Sequence, residues 1–176
     1  WTGYYRAVAT ANQALEAIRE MGSPKTLDAQ RGEAMLCRAF GMFQMANLFC
    51  MAYDPTKADN YLGLPYPMEP EKSVDTHYER GTLTDLYKHI SDDIEEALPL
   101  IDDAIYSVPK YHFNTKAAYA FASRFYLYYQ KWDKVIEYAT KCLGEDPTAY
   151  LRNREPYSTA AGVDDYFNMY IQSGQI

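Results

Sequence analysis

Apolar residues recur along most of this chain at spacings of three and four, the period of a helix packed on one side. Tyr5, Val8, Asn12, Leu15 and Ile18 mark such a face from about Thr2 to Met21, and Gly22, Ser23 and Pro24 stop it. From about Leu27 to Phe49 the pattern is apolar on more than one side, through Ala34, Leu36, Ala39, Phe40, Phe43 and Ala46. A helix of that kind sits between other helices. Thr82 and Asp85 have the spacing of a capping box and open a third helix with the stripe Leu83, Leu86, Ile90, Ile94, Ala97 and Ile101. Pro99 should kink or end it. Asn114 caps a fourth helix to about Tyr129, Gln130-Lys131 makes a tight turn, and a fifth runs Trp132 to Leu143, with Gly144 placed as its C′ residue. Asp164 to Ile171 is short and aromatic and admits either strand or helix. The expected fold is all-α, one helical domain over 1–176, built from antiparallel helix pairs.

Two stretches stand apart. Between Met51 and Gly81 four prolines (Pro55, Pro65, Pro67, Pro70) fall within 16 residues. No helix interior or central strand tolerates that density. A long ordered excursion of this kind is uncommon unless it carries a function. The stretch 114–147 matches the tetratricopeptide hairpin. It has Tyr119 and Tyr126 at large positions, Ala122 and Ser123 at small ones and Trp132 at the turn. Val135, Ala139 and Cys142 follow along the second helix, and Pro147 ends the unit.

Composition narrows the function classes. The chain has 176 residues, 48% hydrophobic and 23% charged, which excludes disorder as a whole-chain reading. Aromatics make up 15%, with 18 tyrosines, so rings replace aliphatic side chains in packing or on surfaces. A net charge of −7 without a basic stripe disfavours nucleic acid. The uncharged run Ala39 to Tyr53 is 15 residues long, too short to span a bilayer. Cys37, Cys50 and Cys142 are odd in number and form no CxxC, so free buried thiols are expected. The first residue, Trp1, is not Met, and the chain is expected to be an excised piece or a mature fragment.

Candidate chemistry is sparse. No GxSxG, HExxH, P-loop or GxGxxG is present, and the adjacent acidic pairs Asp92-Asp93, Glu95-Glu96 and Asp102-Asp103 point apart on a helix or turn. No enzyme, metal site or cofactor is expected. Asp85, His89 and Asp93 recur every four residues and are expected to form a solvated charged face. Asn12, inside an apolar stripe, needs partners and should tie its helix to a neighbouring backbone. Arg31, Glu33 and Arg38 are expected to form a structural polar network. In the loop, Tyr53, Asp54, Asn60, Tyr61 and Tyr66 mix ring faces with polar groups, as a sugar site requires. The same rings would equally pin the loop to the helices.

Six blocks in order resemble the SusD/RagB family of outer-membrane nutrient-binding lipoproteins. They are Trp1-x-x-Tyr4-Tyr5 with Ala11-Asn12 and Leu15; Arg31-Gly32-Glu33-Ala34 with Arg38-Ala39-Phe40; Gly63-Leu64-Pro65; Asp92-Asp93-Ile94-x-x-Ala97 with Leu98-Pro99; Asn114-Thr115-Lys116-Ala117-Ala118; and Tyr126-Leu127-Tyr128 with Trp132. The resemblance covers roughly Trp1 to Leu143 and corresponds to the central helical scaffold of longer proteins. It implies a surface lipoprotein that binds a glycan or other nutrient. Such a protein sits on a SusC-like TonB-dependent transporter and is held to the membrane by a lipid anchor that this piece lacks. In the family, the tetratricopeptide-like helices rest on the barrel, and the aromatic sugar platform is built largely from loops outside this stretch. The alternative is a tetratricopeptide-type module that binds a peptide or partner protein in its groove.

Overall fold

The computed structural model describes residues 2–73, 76–151 and 162–172, the last three as backbone only. Trp1, at the head of the first resemblance block, lies outside the described residues. Among the described residues six α-helices occur: α1 Thr2–Glu20, α2 Asp28–Phe49, α3 Leu83–Ala97, α4 Thr115–Tyr128, α5 Trp132–Leu143 and α6 Val163–Gln172. No strand occurs among the described residues, and one isolated antiparallel bridge joins Leu62 to Thr82. None of the described helices is long and apolar enough to cross a membrane. The chain divides into two compact units, Trp1–Cys142 and Leu143–Ile176.

In the first unit α2 is the central element. It buries Met35, Leu36, Ala39, Met42, Phe43, Met45 and Ala46 among others, on several sides. Its neighbours follow from paired positions. Arg38 meets Asn12 of α1 and Asp93 of α3, while residues nearer the α2 N-terminus meet later residues of α3. A Cβ on Gly41 would lie 3.0 Å from Val8, and one on Gly32 would lie 2.9 Å from the Ala97 carbonyl. Both pairs, α1–α2 and α2–α3, are therefore antiparallel. Gly32 is required there, because any side chain would force α2 away from the end of α3.

Local chemistry sets the helix ends. Thr82 and Asp85 form the reciprocal capping box, with each side chain accepting from the other's backbone N–H. α3 ends at Ala97 and passes into a single 3-10 turn, Leu98–Leu100, because Pro99 has no N–H to continue the ladder. Asn114 Oδ1 accepts from Ala117 N at 2.9 Å and opens α4. Gly144 follows α5 with φ of 82°, as a C′ glycine does.

α4 and α5 form the expected antiparallel hairpin. Contacts pair Cys142 with Lys116, Tyr138 with Tyr119 and Val135 with Ser123. Phe40 and Phe43 of α2 meet Phe121 and Phe125 of α4 edge-on, with centroids 5.4 and 5.7 Å apart. Tyrosines join this packing between α4 and α5, where Tyr138 stacks on Tyr119 and Tyr126. Trp132 stands at the first position of α5 and is 56% exposed, outside the core.

The loop between α2 and α3 is closed at its neck. Gly63 N donates to Gly81 O and Leu83 N to Tyr61 O. A Cβ on Gly63 would lie 2.4 Å from the Thr82 carbonyl, so only glycine allows the two sides of the neck to meet. In the second unit, Asp146 caps the 3-10 turn Pro147–Tyr150 through Thr148 N, and α6 follows. The segment that admitted strand or helix is helical.

Candidate functional site

One buried polar node organises the loop. Arg38 of α2 donates Nε and Nη2 to the two oxygens of Asp93 on α3, at 2.7 and 2.6 Å. Its Nη1 donates to Asn12 Oδ1 of α1 at 2.9 Å and to the Met68 carbonyl of the loop at 3.2 Å. Asn12 Nδ2 in turn donates to the Pro67 carbonyl at 2.8 Å. Tyr66 donates its hydroxyl to Asp93 Oδ2 at 2.5 Å, and its ring stacks on His89. Both charged side chains are about 95% buried. Burial, and then the Asp93 carboxylate, push the Tyr66 hydroxyl well above its ordinary value. Burial alone would lower the Arg38 guanidinium, but the Asp93 hydrogen bonds outweigh it and hold it above. Each group here has partners, so the node is a clamp rather than a reactive centre.

The node corrects two expectations. Arg31, Glu33 and Arg38 do not form one network. Arg31 pairs with Asp28 at 3.3 Å, and Glu33 accepts from Phe113 N and meets His112 Nδ1 at 2.9 Å on another side of the helix. His112 is therefore engaged, and Tyr106 stacks on it at 4.3 Å. Asp85, His89 and Asp93 do not form one solvated face either. Asp85 caps α3, His89 stacks on Tyr66, and Asp93 is buried. Among the described residues no cluster of three His, Cys, Asp or Glu side chains is arranged to hold a metal. The three cysteines are half-buried rather than fully enclosed.

Of the five loop candidates, Tyr53, Tyr61 and Tyr66 meet α3. Tyr53 packs on Tyr87 and Tyr129 at 4.7 and 4.8 Å. Asp54 closes its own turn, accepting from Thr56 N and Oγ1 and pairing with Lys57. Those donors hold its carboxyl below the ordinary value. Asn60 is exposed at the end of a 3-10 turn, and Tyr61 is half-buried against the core. Tyr66 belongs to the node and also borders a shallow hollow with Pro67 and Met68.

A deeper opening lies beside them, between α1 and the loop. It holds about 710 Å³ and is lined by Tyr5, Arg6 and Gln13 on the helix side and by Pro65, Pro67 and Tyr78 on the loop side, with Glu69 and Glu71 at the rim. Sequence reasoning did not place this cleft. The signals available were the polar outer face of α1 at Arg6 and Gln13 and the recurrence of prolines beside Tyr78.

A second polar cluster ties α3 to the hairpin. Glu95 accepts from Tyr126 and Tyr138 hydroxyls at 2.6 and 2.7 Å and from Lys134 at 3.2 Å. Burial alone would raise its pKa, but these three donors hold it below the ordinary 4.5. A carboxylate with a depressed folded-state pKa stabilises the fold above its unfolded-state value, and that contribution fades as pH falls through the folded value. Glu95→Gln should therefore lower the melting temperature at pH 7 and change it little at pH 3. Thermal unfolding of the two proteins at both pH values checks this.

A family model described as SusD-like, starch-binding and associating with the outer membrane matches residues 1–127, and the chain belongs to that family. No curated protein matches the sequence. Solved structures do. A SusD superfamily protein from Bacteroides thetaiotaomicron is 27% identical with a TM-score of 0.72, over 91% of this chain and 35% of that one. A SusD superfamily protein from Bacteroides vulgatus is 26% identical with a TM-score of 0.73, over 91% and 36%. A laminarin-binding SusD-like protein, 21% identical with a TM-score of 0.65 over 82% and 29%, shares the fold. The chain thus spans about a third of the length of these proteins.

Proposed function

We propose that this chain is the helical scaffold of a surface receptor that captures an oligosaccharide and passes it to a SusC-like TonB-dependent transporter, breaking no bond. The observation that carries this reading is the SusD-like family match over residues 1–127, together with the all-helical fold shared with SusD superfamily structures. Attachment to the outer membrane would come through a lipid anchor. The hairpin supports the transporter contact. Leu127, Trp132 and Ile136 are each at least half exposed on neighbouring turns of α4 and α5, an apolar surface suited to burial against a partner. Tyr53, Asp54, Asn60, Tyr61 and Tyr66 remain the loop residues proposed to support the sugar, Tyr66 being the one beside an open hollow. The test is to tag the full-length protein in its host, recover it from the outer membrane and screen it against a glycan array. Co-purification with a TonB-dependent transporter and binding to a glycan is the expected result. A protein that recovers no transporter and binds no glycan overturns the reading.

A further inference from the structure

The cleft between α1 and the proline-rich loop has the chemistry of a binding site that the node alone does not explain. We propose that it is a saccharide subsite that takes neutral hexopyranose units. This rests on the glycan-capture reading and adds a location and a ligand class to it.

Size, rigidity and lining each support it. A volume of about 710 Å³ falls within the usual span of small-ligand cavities, roughly 300–1,000 Å³. The wall is fixed before any ligand arrives. Tyr5 donates its hydroxyl to the Pro65 carbonyl at 3.3 Å, Asn12 holds Pro67 at 2.8 Å, and Arg19 holds Glu69 at 3.2 Å. Proline rings restrict the same segment further, so little ordering remains to oppose binding.

The lining combines ring faces with polar groups of both kinds. Tyr5, Tyr78 and the prolines present flat apolar surfaces to the C–H face of a pyranose. Burial, then the Cys50 thiol and more weakly the Tyr78 hydroxyl, push the Tyr5 hydroxyl up. The Glu71 carboxylate, after burial, does the same to Tyr78. Arg6 has no ion pair among the described residues, so its guanidinium is available to donate to hydroxyls. Gln13 offers both a donor and an acceptor, and Glu71 an acceptor. Because Arg6 and Glu71 carry opposite signs within one cleft, a polyanionic sugar would meet a carboxylate and a cationic ligand a guanidinium. A neutral sugar meets neither penalty.

The test is calorimetric titration of maltoheptaose, laminarihexaose and cellohexaose into the 176-residue chain and its Tyr78→Ala, Tyr78→Phe, Arg6→Ala and Tyr111→Ala variants, each checked for native near-ultraviolet dichroism. At least one saccharide should bind. Affinity should fall tenfold or more in Tyr78→Ala and Arg6→Ala, fall only a few-fold in Tyr78→Phe, which keeps the ring face, and stay unchanged in Tyr111→Ala, whose ring is exposed elsewhere. Binding that survives in both Tyr78→Ala and Arg6→Ala leaves glycan capture standing and overturns the cleft as its site. No binding to the chain by any of the three also overturns the cleft, while capture by the full-length protein is decided separately by the glycan array.

Discussion

Replacing Arg38 by alanine should cost about 3–5 kcal/mol of stability, the usual consequence of leaving a buried partner charge uncompensated. Asp93 would keep only the Tyr66 hydroxyl, while Asn12 Oδ1 and the Met68 carbonyl would each lose a donor. For a chain of this length such a loss corresponds to a fall of roughly 6–20 °C in melting temperature. The double variant Arg38→Met with Asp93→Leu should recover part of it, because removing both charges removes the desolvation problem, while the Tyr66 hydroxyl, Asn12 Oδ1 and the Met68 carbonyl stay without those partners. Urea unfolding followed by circular dichroism separates the cases. A single variant within about 1 kcal/mol of wild type would mean that water reaches Asp93 and the pair is not buried in solution.

Phe43→Ala should be comparably damaging, at about 3–5 kcal/mol, for an unrelated reason. Phe43 is 1% exposed and sits where α2 meets α4. Its ring touches Phe121, Phe125 and Tyr128, with centroids 6.0, 5.7 and 5.2 Å away. Truncation removes the buried ring and three aromatic contacts at once, and the surrounding rings are too rigid to close the gap. Leu48→Ala, one turn further along the same helix and 63% exposed, should change stability by no more than about 0.5 kcal/mol. The same unfolding experiment compares them. Equal effects at the two positions would contradict the placement of the core.

The helices were legible in the sequence because their determinants are local. Thr82, Asp85 and Asn114 act on backbone groups three residues away, and Gly144 needs only its own φ. The α3 stripe was legible for the same reason, apart from Ile101, which is only half-buried, and Tyr87 and Asp93, which are buried but lie off the expected set. Local spacing could not tell Asp92 from Asp93. Asp92 pairs with Lys88 in solvent, whereas Asp93 is buried because Arg38 arrives from 55 residues away. Glu33 finds His112 across 79 residues in the same manner. The loop tyrosines were visible as a residue type but not as directions. Tyr53 turns onto Tyr87 and Tyr66 onto Asp93, which depends on how the loop crosses α3. The cleft was hidden most completely, since its walls come from α1 and from a segment some sixty residues later.

The proline-rich loop belongs to the folded scaffold because a buried arginine fastens it there. The most direct measurement is the nitrogen–proton NMR signal of the Arg38 Nε–H. In the wild-type chain at pH 7 this proton should exchange slowly with water and resonate apart from the solvent-exposed arginines, and Asp93→Asn should collapse both properties. An Arg38 Nε proton that exchanges as fast as that of exposed Arg6 would contradict the account.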